Sequence, residues 1–286
     1  MIDGLEEKRL RVRGLLEAYS SALVAYSGGV DSTLLALLAH QTLAGRMAAV
    51  IVSSPLLPPR ELERALSAAA FLGFPCEVVE ADELALPGFR HNPPDRCYRC
   101  KRHRLTRLRE MAAARGWEAV LEGSHRGDAD LHRPGRKASA ELGAASPLKE
   151  AGLDKAEVRA LARHLGLPNW DAPSRPCLAT RFPYGMELEH ALMRRVDAAE
   201  ETLEGMGLSQ VRVRLETPAS ARIEVGPDEM HRLEGEDNRE RLVTELRGLG
   251  FRRIELDLDG YRSGSMDENR PARRCRTLYV AEGYEG

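Results

Sequence analysis

Hydrophobic positions change their period along the chain, and each change marks an element. Residues 5–20 place apolar side chains at helical spacing and read as an amphipathic helix. Ala22-Leu23-Val24-Ala25-Tyr26 is an unbroken apolar run, short enough for a strand buried on both faces. Residues 33–40 are almost wholly apolar and read as a buried helix. Runs at 48–52, 76–80 and 119–121 predict three further strands. Between them, residues 59–72 put Leu62, Ala65, Leu66, Ala69 and Leu72 on one helical face, and 101–115 reads as a basic helix. Strands alternating with helices predict an α/β domain with a parallel sheet covered on both sides.

Periodicity is lost over 124–146, which reads as a long active-site loop with a short helical piece. A helix over 155–165 stops at Gly166-Leu167-Pro168. Pro168, Pro173, Pro176 and Pro183 then mark a change of organisation, which places a domain boundary at 185 and divides the chain into 1–185 and 186–286. In the second part a helix over 188–206 precedes residues 210–215, which alternate apolar and basic and predict a half-exposed strand. Residues 221–225 are its hairpin partner across 217–220. Helical segments run to 249, and 253–258 alternates again. This order, β-β-α-β, predicts a smaller C-terminal α+β domain with a mostly antiparallel sheet.

The composition narrows the class. With 286 residues, 43% hydrophobic and 30% charged, the chain is globular in type. A net charge of −2 argues against nucleic acid as the main partner. No apolar run reaches membrane-spanning length, and the first residues lack an apolar signal core, so the expectation is a cytoplasmic protein without membrane contact. Five cysteines, an odd number, do not suggest a disulfide framework; metal or catalytic roles fit a reducing compartment better.

Two constellations carry chemistry. The first is Ser27-Gly28-Gly29-Val30-Asp31-Ser32, between the first strand and the buried helix. Glycines let the backbone approach a ligand, and a helix N-terminus offers unpaired N–H groups to an anion. Ser27, Ser32 and Thr33 add hydroxyls, and Asp31 could hold Mg²⁺ beside a polyphosphate. No Gly-Lys-Ser/Thr follows, so this is not a Walker A loop. The plainer reading is a strand-to-helix turn with a polar cap.

The second is Cys97-Tyr98-Arg99-Cys100, with Cys177 far downstream. A Cys-x-x-Cys pair can be a redox pair, half of a zinc site or an accident. Cys76 and Cys275 are poor fourth zinc ligands. Three thiolates with one open position can also hold an iron–sulfur cluster, and the surrounding Arg96, Arg99, Lys101, Arg102, Arg175 and Arg181 would favour thiolates.

The glycine loop resembles the PP-loop, SGGxDS, of ATP pyrophosphatases. Together with Asn92-Pro93-Pro94-Asp95-Arg96-Cys97-Tyr98-Arg99-Cys100-Lys101, the run from Cys177-Leu178-Ala179-Thr180-Arg181 to Gly185, and Gly260-Tyr261-Arg262-Ser263-Gly264-Ser265-Met266, it makes nearly the whole chain similar to the LarE family. These are ATP-dependent sulfur transferases that convert pyridinium-3,5-biscarboxylate mononucleotide to its bisthiocarboxylate, towards a nickel-pincer cofactor. The resemblance implies a PP-loop ATP pyrophosphatase domain, a C-terminal substrate and assembly domain, and a homo-oligomer, hexameric in some members. It implies nucleotide binding by Ser27, Gly28, Gly29, Asp31, Ser32 and Thr33, with ATP and Mg²⁺. Substrate binding falls to Arg212, Arg214, Glu200 and Thr180. One branch of the family sacrifices the sulfur of the cysteine matching Cys177. The other holds a [4Fe-4S] cluster with three cysteines, which match Cys97, Cys100 and Cys177; this chain resembles that branch. The sulfur donor is not readable from the sequence.

The chain departs from the family at Ser124-His125-Arg126-Gly127-Asp128, where a Thr-Asn-Ala-Asp-Asp-like stretch is usual; Arg133-Pro134-Gly135 then matches again. Isolated His125 and His132 read as plain polar residues. The competing readings are a PP-loop tRNA thiolase, which a near-neutral charge disfavours, and a zinc-stapled nucleotide-binding module without activity.

Overall fold

Four short apolar runs of the N-terminal half, β1 (Ala22–Ala25), β2 (Met47–Ser53), β3 (Cys76–Glu80) and β4 (Ala119–Glu122), pair as one parallel sheet in the order β3-β2-β1-β4. The structure is a computed structural model and describes residues 2–127, 135–233, 235–262 and 274–284. Two compact units emerge: Met1–Ala85 with Pro94–Arg175, and Leu86–Pro93 with Pro176–Gly286.

In the first unit the strands are joined by α1 (Ile2–Glu17), α2 (Val30–Leu43), α3 (Pro59–Leu72), α4 (Arg96–Ala114), α5 (Gly135–Glu141), α6 (Pro147–Glu150) and α7 (Lys155–His164). Successive strand residues point to opposite faces, and both faces are apolar. Val24, Ala49, Ile51 and Leu121 pack with Val12 and Leu16 of α1, Leu34 and Leu35 of α2, and Val158 and Leu161 of α7. Leu23, Val50, Val52 and Val120 pack with Leu105, Leu108 and Ala112 of α4. The α/β class expected from the alternation is the one observed. Helix α4 begins at Arg96 rather than 101, so both cysteines of the pair are helical. Residues 96–101 carry no apolar period from which that turn could be read.

The second unit contains α8 (His190–Gly205), β5 (Val211–Arg214), β6 (Ser220–Val225), α9 (Glu236–Gly248), β7 (Arg253–Asp257) and β8 (Cys275–Val280). Its sheet runs β5-β6-β7-β8, with antiparallel outer pairs and a parallel β6–β7 pair connected through α9. Strand β8 was not expected, because its mixture of Arg, Thr and Leu on a sheet edge shows no clean alternation. Val211, Val213, Ile223, Val225, Ile254 and Leu256 give the sheet an apolar face. The alternate positions carry Arg212, Arg214, Arg222, Glu224, Glu255 and Asp257, and all six are buried as well. The expected half-exposed strand is therefore corrected to a fully buried one. Cross-strand register sets Arg212 beside Glu224, and Arg222 beside Glu255, so opposite charges take the place of water. Asn92 ties Leu86–Pro93 into this unit by donating to the carbonyls of Phe182 and Pro183, both at 2.9 Å.

No helix among the described residues is long and apolar enough to cross a membrane.

Candidate active site

Strand β1 lies between β2 and β4, so the chain leaves β1 in one direction and returns on its other side. Open α/β sheets bind ligands at such a switch point, beyond the carboxyl ends of the strands. Here that point is formed by Ser27-Gly28-Gly29 after β1 and Gly123 after β4. Gly28 has φ +77°, and a Cβ there would lie 2.6 Å from Ala65 Cβ. Gly123 is equally constrained, since its Cβ would sit 2.8 Å from Ser32 N. Gly29 differs: φ is −72°, and a Cβ would meet only Ser27 Oγ at 3.6 Å. The fold itself leaves space at the start of α2.

Hydroxyls brace this loop. Ser27 and Ser32 Oγ atoms are 3.1 Å apart, and Ser32 Oγ and Thr33 Oγ1 each donate to the Gly29 carbonyl at 3.0 Å. Two residues that sequence reasoning missed complete the corner. Asn169 Nδ2 donates to the Gly28 carbonyl at 2.7 Å and to Thr33 Oγ1 at 2.9 Å. Lys155 Nζ donates to both Asp31 oxygens, at 2.7 and 2.6 Å. Lys155 is the first residue of α7, whose start is fixed by a capping box between Asp154 and Glu157. The Asp-x-x-Glu spacing announces that helix start, but nothing local links Lys155 to Asp31, 124 residues away.

Cys97 is exposed and Cys100 half-buried near the start of α4, and neither is in a disulfide. Cys100 Sγ lies 3.5 Å from Glu83 Oε1, which also accepts from Arg104 Nε at 2.6 Å. Arg104 in turn donates to Ser54 Oγ at 2.9 Å, just past β2. The cysteine-bearing turn is thus fastened to the ligand end of the sheet. Lys101 pairs with buried Glu122, which also accepts from Ser124 at 2.8 Å and from Ser139 and Ser146 at 3.0 Å. Burial alone would raise the Glu122 pKa, but Lys101 and the serines outweigh it and hold it below the ordinary carboxylate value. The hydroxyl of Ser124 in the divergent stretch is therefore used internally. Asp128, His132, Arg133, Pro134 and residues 263–266 lie outside the described residues.

The second unit holds Cys177, Thr180, Glu200, Arg212 and Arg214. Cys177 precedes a 3-10 turn, Leu178–Arg181. Its carbonyl accepts from Thr180 N, Thr180 Oγ1 and Arg181 Nη1, at 3.1, 2.8 and 3.1 Å. Glu200 is buried, and its two oxygens each accept from Arg181 at 2.9 Å; Oε1 also accepts from Val213 N at 3.0 Å. Burial would raise the Glu200 pKa, but Arg181 overrides it and lowers it. Arg214 pairs with Glu224 at 3.1 Å, and Arg222 bridges Glu224 and Asp257 at 2.7 Å each.

Among the described residues of this unit, the four buried arginines fall into two classes. In Arg181 and Arg222, carboxylates outweigh burial and raise the pKa. In Arg212 and Arg214, burial prevails and lowers it. Arg212 is pushed down to about 10, first by burial and then by the Arg181 charge, against Glu200 and Tyr261. Its guanidinium stands 5.1 Å from the Tyr261 ring centre. Burial raises the thiols of Cys76 and Cys275, each to about 11, which suits structural rather than reactive sulfur. Among the described residues, no group of three or more His, Cys, Asp or Glu is arranged to hold a metal ion.

Relatives share most of this chain. It is 41% identical to an uncharacterized protein of Synechocystis sp. over 92% of this chain and 98% of that one. It is 38% identical to pyridinium-3,5-bisthiocarboxylic acid mononucleotide synthase of Lactiplantibacillus plantarum, over 92% of this chain and 95% of that one. A more distant likeness is to GMP synthase of Aeropyrum pernix, 31% identical over 65% of this chain and 40% of that one, in keeping with the PP-loop superfamily. No family model matches. The chain belongs to the LarE family within that superfamily, and it is an enzyme, an ATP-dependent sulfur transferase.

Proposed function

From membership of the LarE family, we propose that this enzyme adenylates a carboxylate of pyridinium-3,5-biscarboxylate mononucleotide and replaces one of its oxygens with sulfur. The observation that carries the substrate assignment is the contrast among the arginines. Arg212 and Arg214 are the two in which carboxylates do not outweigh the cost of burying the charge. They lie two apart on β5, on one face. An incoming phosphate would offset that cost, and guanidinium groups suit its oxygens.

The reaction needs ATP because a carboxylate offers oxide as leaving group. Attack of a carboxylate oxygen on the α-phosphorus breaks the α–β phosphoanhydride bond and releases pyrophosphate. A sulfur nucleophile then attacks the acyl carbon, and AMP departs with the former carboxylate oxygen. The protein's part is to hold charge in place. Ser27, Gly28, Gly29, Ser32 and Thr33 form the corner for the phosphates. Asp31 would hold Mg²⁺ after exchanging Lys155, whose ammonium is then released towards the anion. Mg²⁺ would neutralise the departing pyrophosphate.

Cys97, Cys100 and Cys177 are the residues that would hold a [4Fe-4S] cluster. Three cysteine thiols are the donors such a cluster takes, and two of them share one helical face beside Arg96, Arg99 and Lys101. When bound, the cluster would supply the sulfide. Thr180 and Glu200, expected at the substrate, act here through Cys177 and Arg181. The family resemblance also supports a homo-oligomer.

The deciding experiment is anaerobic purification with iron and sulfide analysis, followed by turnover with ATP, Mg²⁺ and the biscarboxylate. Expected are AMP, pyrophosphate and a thiocarboxylate product, with Cys177 keeping its mass over many turnovers. Loss of one sulfur mass from Cys177 without bound iron would replace the cluster by a sacrificial cysteine. Absence of AMP would remove the adenylation reading.

A further inference from the structure

We infer that the Arg181–Glu200 pair is a positioning device that fixes Cys177 against the phosphate-binding strand β5. The inference rests on the proposed roles of Cys177 and of Arg212 and Arg214. Arg181 spends its donors in two directions. Nε and Nη2 meet the two oxygens of Glu200 at 2.9 Å. Nη1 turns back to the carbonyls of Pro176 and Cys177 at 2.6 and 3.1 Å, and to Thr180 Oγ1 at 3.1 Å. Glu200 in turn receives the N–H of Val213, the residue between the two phosphate arginines.

Two more bonds close the frame. Leu215 N donates to the Arg181 carbonyl at 2.9 Å, and Arg214 Nη1 donates to the Thr180 carbonyl at 2.7 Å. The turn bearing Cys177 is therefore sewn to the end of β5, through Glu200 at Val213 and directly at Arg214 and Leu215. Side-chain exposures of 3% for Arg181 and 2% for Glu200 put the whole pair out of water. Only the planar guanidinium fork can serve both directions at once; a lysine has one nitrogen. The distance from the sulfur-bearing residue to the phosphate arginines is thus set before substrate arrives, and reacting groups misplaced by about 1 Å can lose about 100-fold in rate.

The test uses the full-length enzyme with Arg181→Lys, and with Glu200→Gln should that variant fail to fold. Three quantities are measured: inorganic phosphate binding by calorimetry, steady-state sulfur transfer, and alkylation of Cys177 by iodoacetamide in iron-free protein. In Arg181→Lys, kcat is expected to fall about 10- to 100-fold, with KM and phosphate affinity within about threefold of wild type. Cys177 alkylation rises as the turn loosens. Glu200→Gln keeps one oxygen acceptor and gives the same split at smaller size. A kcat that falls only in proportion to the folded fraction, or together with phosphate affinity, overturns the inference alone. Wild-type protein that binds no phosphate, or binds it as well after Arg212→Gln, overturns the phosphate reading and the inference with it.

Discussion

At the corner proposed for ATP in the first unit, the groups offered to a ligand are backbone N–H donors and small hydroxyls, and the glycines there make room. On the buried face of the second unit they are guanidinium groups, and carboxylates hold them in place. The first design costs little to fold, because a helix N-terminus leaves donors unpaired in any case. The second is expensive, since each charge must be taken out of water. What the second gains is choice: neighbouring acids decide in which arginine the charge is favoured and in which burial works against it. In Arg181 and Arg222 the carboxylates win over burial; in Arg212 and Arg214, the two proposed for the phosphate, burial wins, although Arg214 also pairs with Glu224.

The largest effect that can test this contrast is Arg181→Ala. It leaves Glu200 charged and buried, and losing one partner of a buried pair costs about 3–5 kcal/mol. Chemical denaturation should show that loss, and acid should partly relieve it. Wild-type Glu200 has a lowered pKa, so its contribution is complete above the ordinary value of 4.5 and disappears as pH falls below it. A loss under about 1 kcal/mol would mean that the pair behaves like a surface salt bridge.

Arg212→Gln should act in the opposite sense on the free protein. Phosphate binding should weaken by about 1.5–3 kcal/mol, the worth of hydrogen bonds to a charged group. Stability without ligand should hold or rise, because a charge disfavoured by burial has been removed. The pH dependence has a matching sign. Below pH 10 the folded state carries the Arg212 charge at a cost. Between about 10 and the ordinary arginine value, the native state has released a proton that the unfolded state still holds, so this group makes stability rise with pH while phosphate affinity falls. Titration calorimetry across that window would break the assignment if affinity stayed flat.

The two sites also differ in how much of them the sequence displays. Ser27 to Ser32 is legible because its chemistry is local: strand, glycine turn and helix start follow one another, and the α/β alternation places them at a sheet end. Arg212 and Arg214 are visible as an alternating pair, but the alternation suggested a half-exposed strand. Their burial depends on Glu224, Arg222 and Asp257, which reach them through strand register and not through spacing along the chain. Lys155 and Asn169 escape for the same reason, being tertiary partners of the loop. The motif run from Cys177 to Arg181 was recognisable as family likeness. Its role as a brace appears only when Glu200 and Val213 are brought beside it.

Within the backbone-built corner, Gly28→Ala should cost about 1–2 kcal/mol from its left-handed backbone alone. Contact with Ala65, at 2.6 Å, adds to that. Thermal unfolding and ATP consumption should fall together, because the loop cannot keep its path. Equal stability of variant and wild type would show that α3 can move aside.

Gly29→Ala has the smallest effect on the fold and is the sharpest probe of the corner. Its φ of −72° suits alanine, and the nearest atom to the added Cβ is Ser27 Oγ at 3.6 Å, an ordinary contact. Stability should stay within about 0.5 kcal/mol of wild type. If phosphates lie against this helix N-terminus, however, the methyl group occupies ligand space, and KM for ATP should rise by about tenfold or more, since one misplaced charge-assisted hydrogen bond is worth about 1.5–3 kcal/mol. A glycine required only by folding would give the reverse, an unstable protein with normal KM in its folded fraction. Unchanged stability with unchanged KM would place the nucleotide elsewhere and remove the backbone-built half of the comparison. Gly28 and Gly29, adjacent in sequence, thus separate what the loop needs to form from what it needs to bind.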